Sequence, residues 1–182
     1  MALAKDKGAI KTFSGGVWSA IEVTDSGTLK ASASHNDLGY VKSSTLRDET
    51  EELTDFDESG SQVVSDEGNR TVKVTGLLMQ TDKELVDFLK ETVRGKFYMI
   101  YHYDNVNNGK HQEYVFGICK IKPLIEIASG TKRIPFEFTV LKNEAAIGMG
   151  ESSEPAAPSS KKASSFDIAA GLYYSVTETA VT

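Results

Sequence analysis

The groups best suited to metal binding or nucleophilic chemistry in this chain are three histidines, His35, His102 and His111, and one cysteine, Cys119. No histidine has a partner at the HxxxH or CxxC spacings that place two ligands on one metal. His102 alternates onto the less apolar face of its segment and His111 follows a turn, so these two and His35 read as structural or surface residues. Cys119 lies among Ile118 and Ile121 and reads as a small buried hydrophobe. A lone cysteine excludes an internal disulfide and suits a reducing compartment. No GxSxG, P-loop or strand-borne GxGxxG occurs, and Gly148-Met149-Gly150 precedes a Ser/Pro stretch without phosphate-binding context. The spacing of Asp55, Asp57 and Ser59, with Asp66 at the twelfth position, resembles that of a calcium loop. Against it, Gln62 stands where an aliphatic anchor belongs, Asp66 replaces the bidentate Glu, and no helical pattern flanks the stretch. An acidic solvated loop is the better explanation. No metal, cofactor or catalytic residue is assigned, and enzymatic activity is not expected.

These side chains sit in an acidic chain of 182 residues with net charge −6. That balance argues against affinity built on neutralising nucleic-acid phosphates or an anionic membrane. No apolar run approaches the roughly 20 residues of a membrane-spanning helix, and the start, Met1 to Gly8, lacks the apolar stretch of a secretory signal. The charge is uneven. Between residues 45 and 69, Asp48, Glu49, Glu51, Glu52, Asp55, Asp57, Glu58, Asp66 and Glu67 face Arg47 alone, with few apolar residues and no sustained period. This predicts a long loop over 36–69 leaving the fold, of the kind that orders on contact. Residues 148–165, rich in Ser, Pro and Ala from 151, read as a linker, and 166–182 as a C-terminal arm. The arm is too short for a core of its own, so Phe166, Ile168, Leu172, Tyr173 and Tyr174 are expected to dock on this domain or on a neighbour.

The remainder, within 1–147, is mostly strand in pattern. Val17, Ser19, Ile21 and Val23 alternate with Trp18, Ala20 and Glu22, and Asp25-Ser26-Gly27 turns the chain so that Thr28–Ala33 can return. Val72, Val74, Gly76 and Leu78 alternate, as do Ile134, Phe136, Phe138 and Val140. Pro123 and Pro135 mark a sheet edge or bulge. Thr81-Asp82-Lys83-Glu84 is a capping box opening a helix over 82–94, along which Leu85, Phe88, Leu89 and Thr92 or Val93 recur at helical spacing, with Gly95 as the left-handed stop. Asn108-Gly109 predicts a two-residue hairpin turn. That turn would pair Tyr103 with Tyr114, Tyr101 with Phe116 and Met99 with Ile118, all on one face. The sum is a mainly β (α+β) domain, an antiparallel sandwich or barrel of about seven strands with one packed helix.

The order of these elements resembles the bacteriophage tail tube proteins, whose fold is shared with type VI secretion tube proteins. The resemblance covers about residues 9–147. It rests on the Trp18 strand after a short N-terminal segment, the long loop, the strand Arg70–Met79 running directly into the helix, and the meander through Val140. The C-terminal extension is a departure from the pattern. The resemblance implies a virion structural protein assembled in the bacterial host cytoplasm. Its copies would form stacked homohexameric rings through which DNA leaves without specific binding. It implies further contacts with tail terminator, tape-measure and tail-tip proteins, and with a sheath where the tail has one, and none with a membrane. The loop residues Asp48, Glu49, Glu51, Glu52, Phe56, Asp57 and Glu58 would then reach an adjacent subunit or ring. Glu22, Glu126 and Glu137, at outward strand positions, are candidates to line the lumen, where negative charge repels phosphate. Two other classes are a carbohydrate- or receptor-binding β-sandwich, needing an exposed aromatic platform from Trp18, Tyr98 or Tyr173 with Tyr174, and, more weakly, a soluble hydrolase.

Overall fold

Alternation of apolar residues on six stretches produces six strands whose pairings run in a circuit. The computed structural model describes residues 17–28, 35–56, 58–79, 82–103, 110–123, 134–147 and 168–180. Strand β1 (Val17–Val23) lies antiparallel between β2 (His35–Phe56) and β4 (Phe97–Tyr103). From β2 the ladder passes to β3 (Gln62–Leu78), then β6 (Ile134–Leu141), then β5 (Lys110–Ile121), and β5 pairs back to β4. A further strand, β7 (Tyr174–Ala180), adds to the first half of β5. The described residues are therefore mainly antiparallel β with one short helix. Among the described residues, β5 and β6 pair over Ile118–Ile121 and Phe138–Leu141. Pro135, which has no amide hydrogen to donate, faces Leu77 of β3 and has no β5 partner among the described residues.

Apolar burial fills both sides of this wall. The larger cluster occupies the interior: Trp18 on β1 packs on Phe136 and Phe138 of β6, strands that are not ladder neighbours, and stacks at 6.1 Å from Phe116 of β5. Helix α1 (Lys83–Asp87) continues into a wider turn over Phe88–Thr92, marked by the Val93 amide donating to the Phe88 carbonyl at 3.1 Å. It lays Leu85, Phe88, Leu89 and Val93 into the interior cluster, Val93 being buried and Thr92 exposed of the two that the spacing allows, and Gly95 ends it at φ 68°. The N-cap is Asp82, without a side-chain cap bond; Thr81 of the expected capping box lies outside the described residues. A smaller cluster forms on the other face of β1, β4 and β5. It contains Ile21, Val23, Met99, Tyr101, Val115 and Ile118, covered by Ile147 and Ile168. Gly27, at φ 84° in the turn after β1, leaves room for the Ile147 side chain, which a Cβ there would overlap.

Three expectations need correction. The acidic stretch within 36–69 is not a loop. It forms the outer parts of β2 and β3, paired from Val41 opposite Leu78 out to Phe56 opposite Gln62, with a turn at 58–60. On β2 the residues from Arg47 to Phe56 are exposed on both faces, so no hydrophobic period marks them and the stretch reads as irregular. The β4–β5 register is shifted by one: Tyr101 faces Val115 and Ile100 faces Phe116, with an irregularity before Tyr98 opposite Cys119. Tyr98 and Ile100 turn to the interior cluster while Met99 and Tyr101 turn to the outer one. With both faces buried, alternation cannot choose between registers. Asn108-Gly109 lies outside the described residues, as does most of the stretch Thr28–Ala33 expected to return to β1; β2 instead begins at His35. Finally, His102 is not on a polar face. It is buried 4.5 Å from the Trp18 ring, and burial drives its pKa down to about 4.

Candidate functional site

The most exposed feature of the fold is the outer half of the β2–β3 hairpin. Strand β1 pairs with β2 only as far as Tyr40, and β6 pairs with β3 only from Val72. Residues 62–71 of β3 thus run beyond the body, a reach of roughly 30 Å at about 3.3 Å per residue. Residues Arg47 to Phe56 are exposed on both strand faces. Among the described residues neither long edge of this arm has a ladder partner. Near its end Leu53 and Phe56 are 49% and 60% exposed.

The arm is braced where it leaves the body. Arg70 on β3 grips Asp48 on β2 with two parallel hydrogen bonds, Nε to Oδ1 at 2.7 Å and Nη2 to Oδ2. The Tyr174 hydroxyl donates to the same Asp48 carboxylate at 3.0 Å. The Arg70 guanidinium lies 5.0 Å over the Tyr173 ring, and the Tyr173 hydroxyl donates to the Arg70 carbonyl at 3.4 Å. Hydrogen bonding from Arg70 outweighs partial burial and holds the Asp48 carboxyl below its ordinary range. Tyr174, which opens the last strand, and Tyr173 just before it therefore fix the root of an arm more than a hundred residues away in sequence.

The predicted site residues distribute as follows. Asp48, Glu49, Glu51, Glu52 and Phe56 lie along the arm and Glu58 in its turn, with Asp48 committed to the brace; Asp57 lies outside the described residues. Of the calcium-loop candidates, Asp55 and Asp66 stand on opposite strands, and Asp66 faces Leu53 across the ladder. Their spacing belongs to a strand–turn–strand tip, and the Asp55 carboxylate accepts from the Phe56 amide at 2.9 Å, while Ser59 bonds Ser61. Glu22 pairs with Lys96 at 3.0 Å, and Glu137 with Lys73 at 2.8 Å and Lys122 at 3.4 Å. These two lining candidates are thus paired with lysines within the chain; Glu126 lies outside the described residues. Of the C-terminal residues, Ile168 is buried in the outer cluster, Tyr173 and Tyr174 serve the brace, Leu172 is exposed and Phe166 lies outside the described residues. The segment docks on its own body through β7. Burial pushes the Cys119 thiol well up, away from nucleophilic use. His35 and His111 sit on β2 and β5. Trp18 and Tyr98 are core residues, which removes them from any exposed aromatic platform.

Arg70, Tyr173 and Tyr174 were not recognisable as one site. The available signal was that Arg70 is the first basic residue after the acidic run, and so a natural partner for one of its carboxylates. No family model matches the chain, and no curated protein is similar enough to it to count as a relative.

Proposed function

We propose that this chain is a structural protein that polymerises with copies of itself, and that its assembled form is a phage-type tail tube of stacked rings. The observation that supports this most is the β2–β3 arm: a ladder extending beyond the body, with β2 exposed on both faces from Arg47 to Phe56, no ladder partner on either long edge among the described residues, and apolar residues near its end. Unpaired strand edges are templates for another chain, and a protein that keeps a long pair of them has a use for the contact. The circuit of pairings in the body consumes most other edges, so contacts between copies would run through the arm and the outer edge of β7. The order of elements from the Trp18 strand to Val140 supports the tube form in particular. In a ring the arm would lie against an adjacent subunit or the next ring. The acidic chain, with Glu22 and Glu137 neutralised by lysines, would give DNA a hydrated path that does not hold it.

Negative-stain microscopy of the purified full chain tests the reading: rings or rods are expected, and dispersed single particles at the highest attainable concentration would overturn it. Replacing residues 51–69 with Asn-Gly joins Thr50 to Arg70, which already face each other, by a two-residue turn and preserves the brace. That variant should melt like the wild type yet form no rods. Normal rods from it would remove the arm from the assembly.

A further inference from the structure

The C-terminal segment is joined to the body in a way its own docking does not require. Ile147 and Ile168 exchange backbone hydrogen bonds of 2.9 and 2.8 Å, so residues 148–167 leave and return at one point. Neighbours in an antiparallel pair can be connected by as few as about two residues. Here twenty residues intervene, rich in Ser, Pro and Ala, enough when extended to span up to ~70 Å. Beyond that point the segment behaves as a module. Ile168 fills the outer cluster, β7 pairs with residues 110–116 of β5, and Tyr173 and Tyr174 brace the arm. The other edge of β7 has no ladder partner among the described residues, and Leu172 and Val176 are exposed. Its seat is also imperfectly satisfied. The buried side-chain amide of Asn143, whose backbone bonds Gly171 and Leu172, and the Thr177 hydroxyl have no hydrogen-bond partner among the described residues. Unmet buried polar groups lower the free energy needed to release a docked segment.

We infer that Ile168–Ala180 is a donor strand that passes between copies of this chain, β7 of one copy pairing with β5 of another. Every contact made within one molecule is remade between two, so the exchange needs no new interface. Its extent is set by the local concentration of neighbours against that imposed by the connection. A donated strand carries its tyrosines onto the acceptor's Asp48 and Arg70, so the acceptor's arm would be braced by its neighbour. This goes beyond the tube reading and does not need it, since two copies suffice.

Register partners across β5 and β7 supply the test. Full-length Gln112→Cys and Glu178→Cys chains, each with one added thiol and the buried Cys119, are mixed at high concentration and oxidised with copper phenanthroline. A cross-linked heterodimer on a non-reducing gel is expected. The double variant should close within one chain when dilute. Shortening 148–167 to about four residues should keep the melting temperature and cut the heterodimer yield on the order of tenfold. If the mixture gives no heterodimer while the double variant still closes, the inference is overturned. Equal cross-linking by the shortened chain would overturn it too, because the link would then come from random collision.

Discussion

One hairpin, β2–β3, is held together in two different ways along its length. Its inner half buries Leu38, Val41, Val72, Val74 and Leu78 in the interior cluster. Its outer half is exposed from Arg47 to Phe56 and is secured at the root by Asp48, Arg70, Tyr173 and Tyr174. The backbone ladder is the same in both. An isolated two-stranded ladder is marginal in water, so the inner half owes its persistence to burial and the outer half to its root. Stability and assembly should therefore respond to different residues.

The comparison is tested most severely in the body. Trp18→Ala empties the centre of the aromatic cluster and should cost about 3–5 kcal/mol, read as a fall in the thermal or urea midpoint. A small effect would mean that burial is not what holds the inner half.

Next is acid. In the native chain the His102 ring stays neutral down to about pH 4, whereas unfolded it gains a proton below its ordinary value of 6.5. The unfolded state binds more protons in that window, so stability that is full above pH 6.5 declines as the pH falls towards 4, by about 3 kcal/mol. His102→Phe should flatten that slope in urea titrations run across the range.

A smaller effect is expected at the root. Asp48→Asn removes the charge that Arg70 grips and should cost at most about 1 kcal/mol globally, since the pair is partly solvated. It should, however, speed cleavage of the arm by a glutamate-specific protease. The folded pKa of Asp48 is depressed, so its contribution is present above the ordinary value of 3.8 and lost only as the pH drops through the lower folded value. Acid between pH 6.5 and 4 should thus weaken the body while leaving the brace charged.

The smallest effect on folding comes from the end of the arm. Leu53→Ser with Phe56→Ser should change the unfolding free energy by no more than about 0.5 kcal/mol. The same pair should shorten or abolish rods in micrographs. Unchanged rods would put the assembly contact elsewhere.

What could be read beforehand follows the same division. The alternation of Ile134, Phe136, Phe138 and Val140, the buried helix residues Leu85, Phe88 and Leu89, and the Gly27 turn all reflect local chemistry acting against one buried face. The arm stayed illegible because strands without a core have no period to read. The β4–β5 register did so because strands with two cores have a period that fits either alignment. The brace joins Asp48 to Tyr174 across most of the chain, and nothing in the spacing of either residue points to the other.

The filled interior sets a limit on any passage. Trp18, Phe116, Phe136 and Phe138 touch one another across the space the strands enclose, and helix residues pack into the same cluster. Among the described residues of a single copy, side chains fill the space where a bore would run. A conduit built from this chain must be walled by the outer surfaces of several molecules, and its width would follow from how many stand around the axis, not from how many strands each contributes.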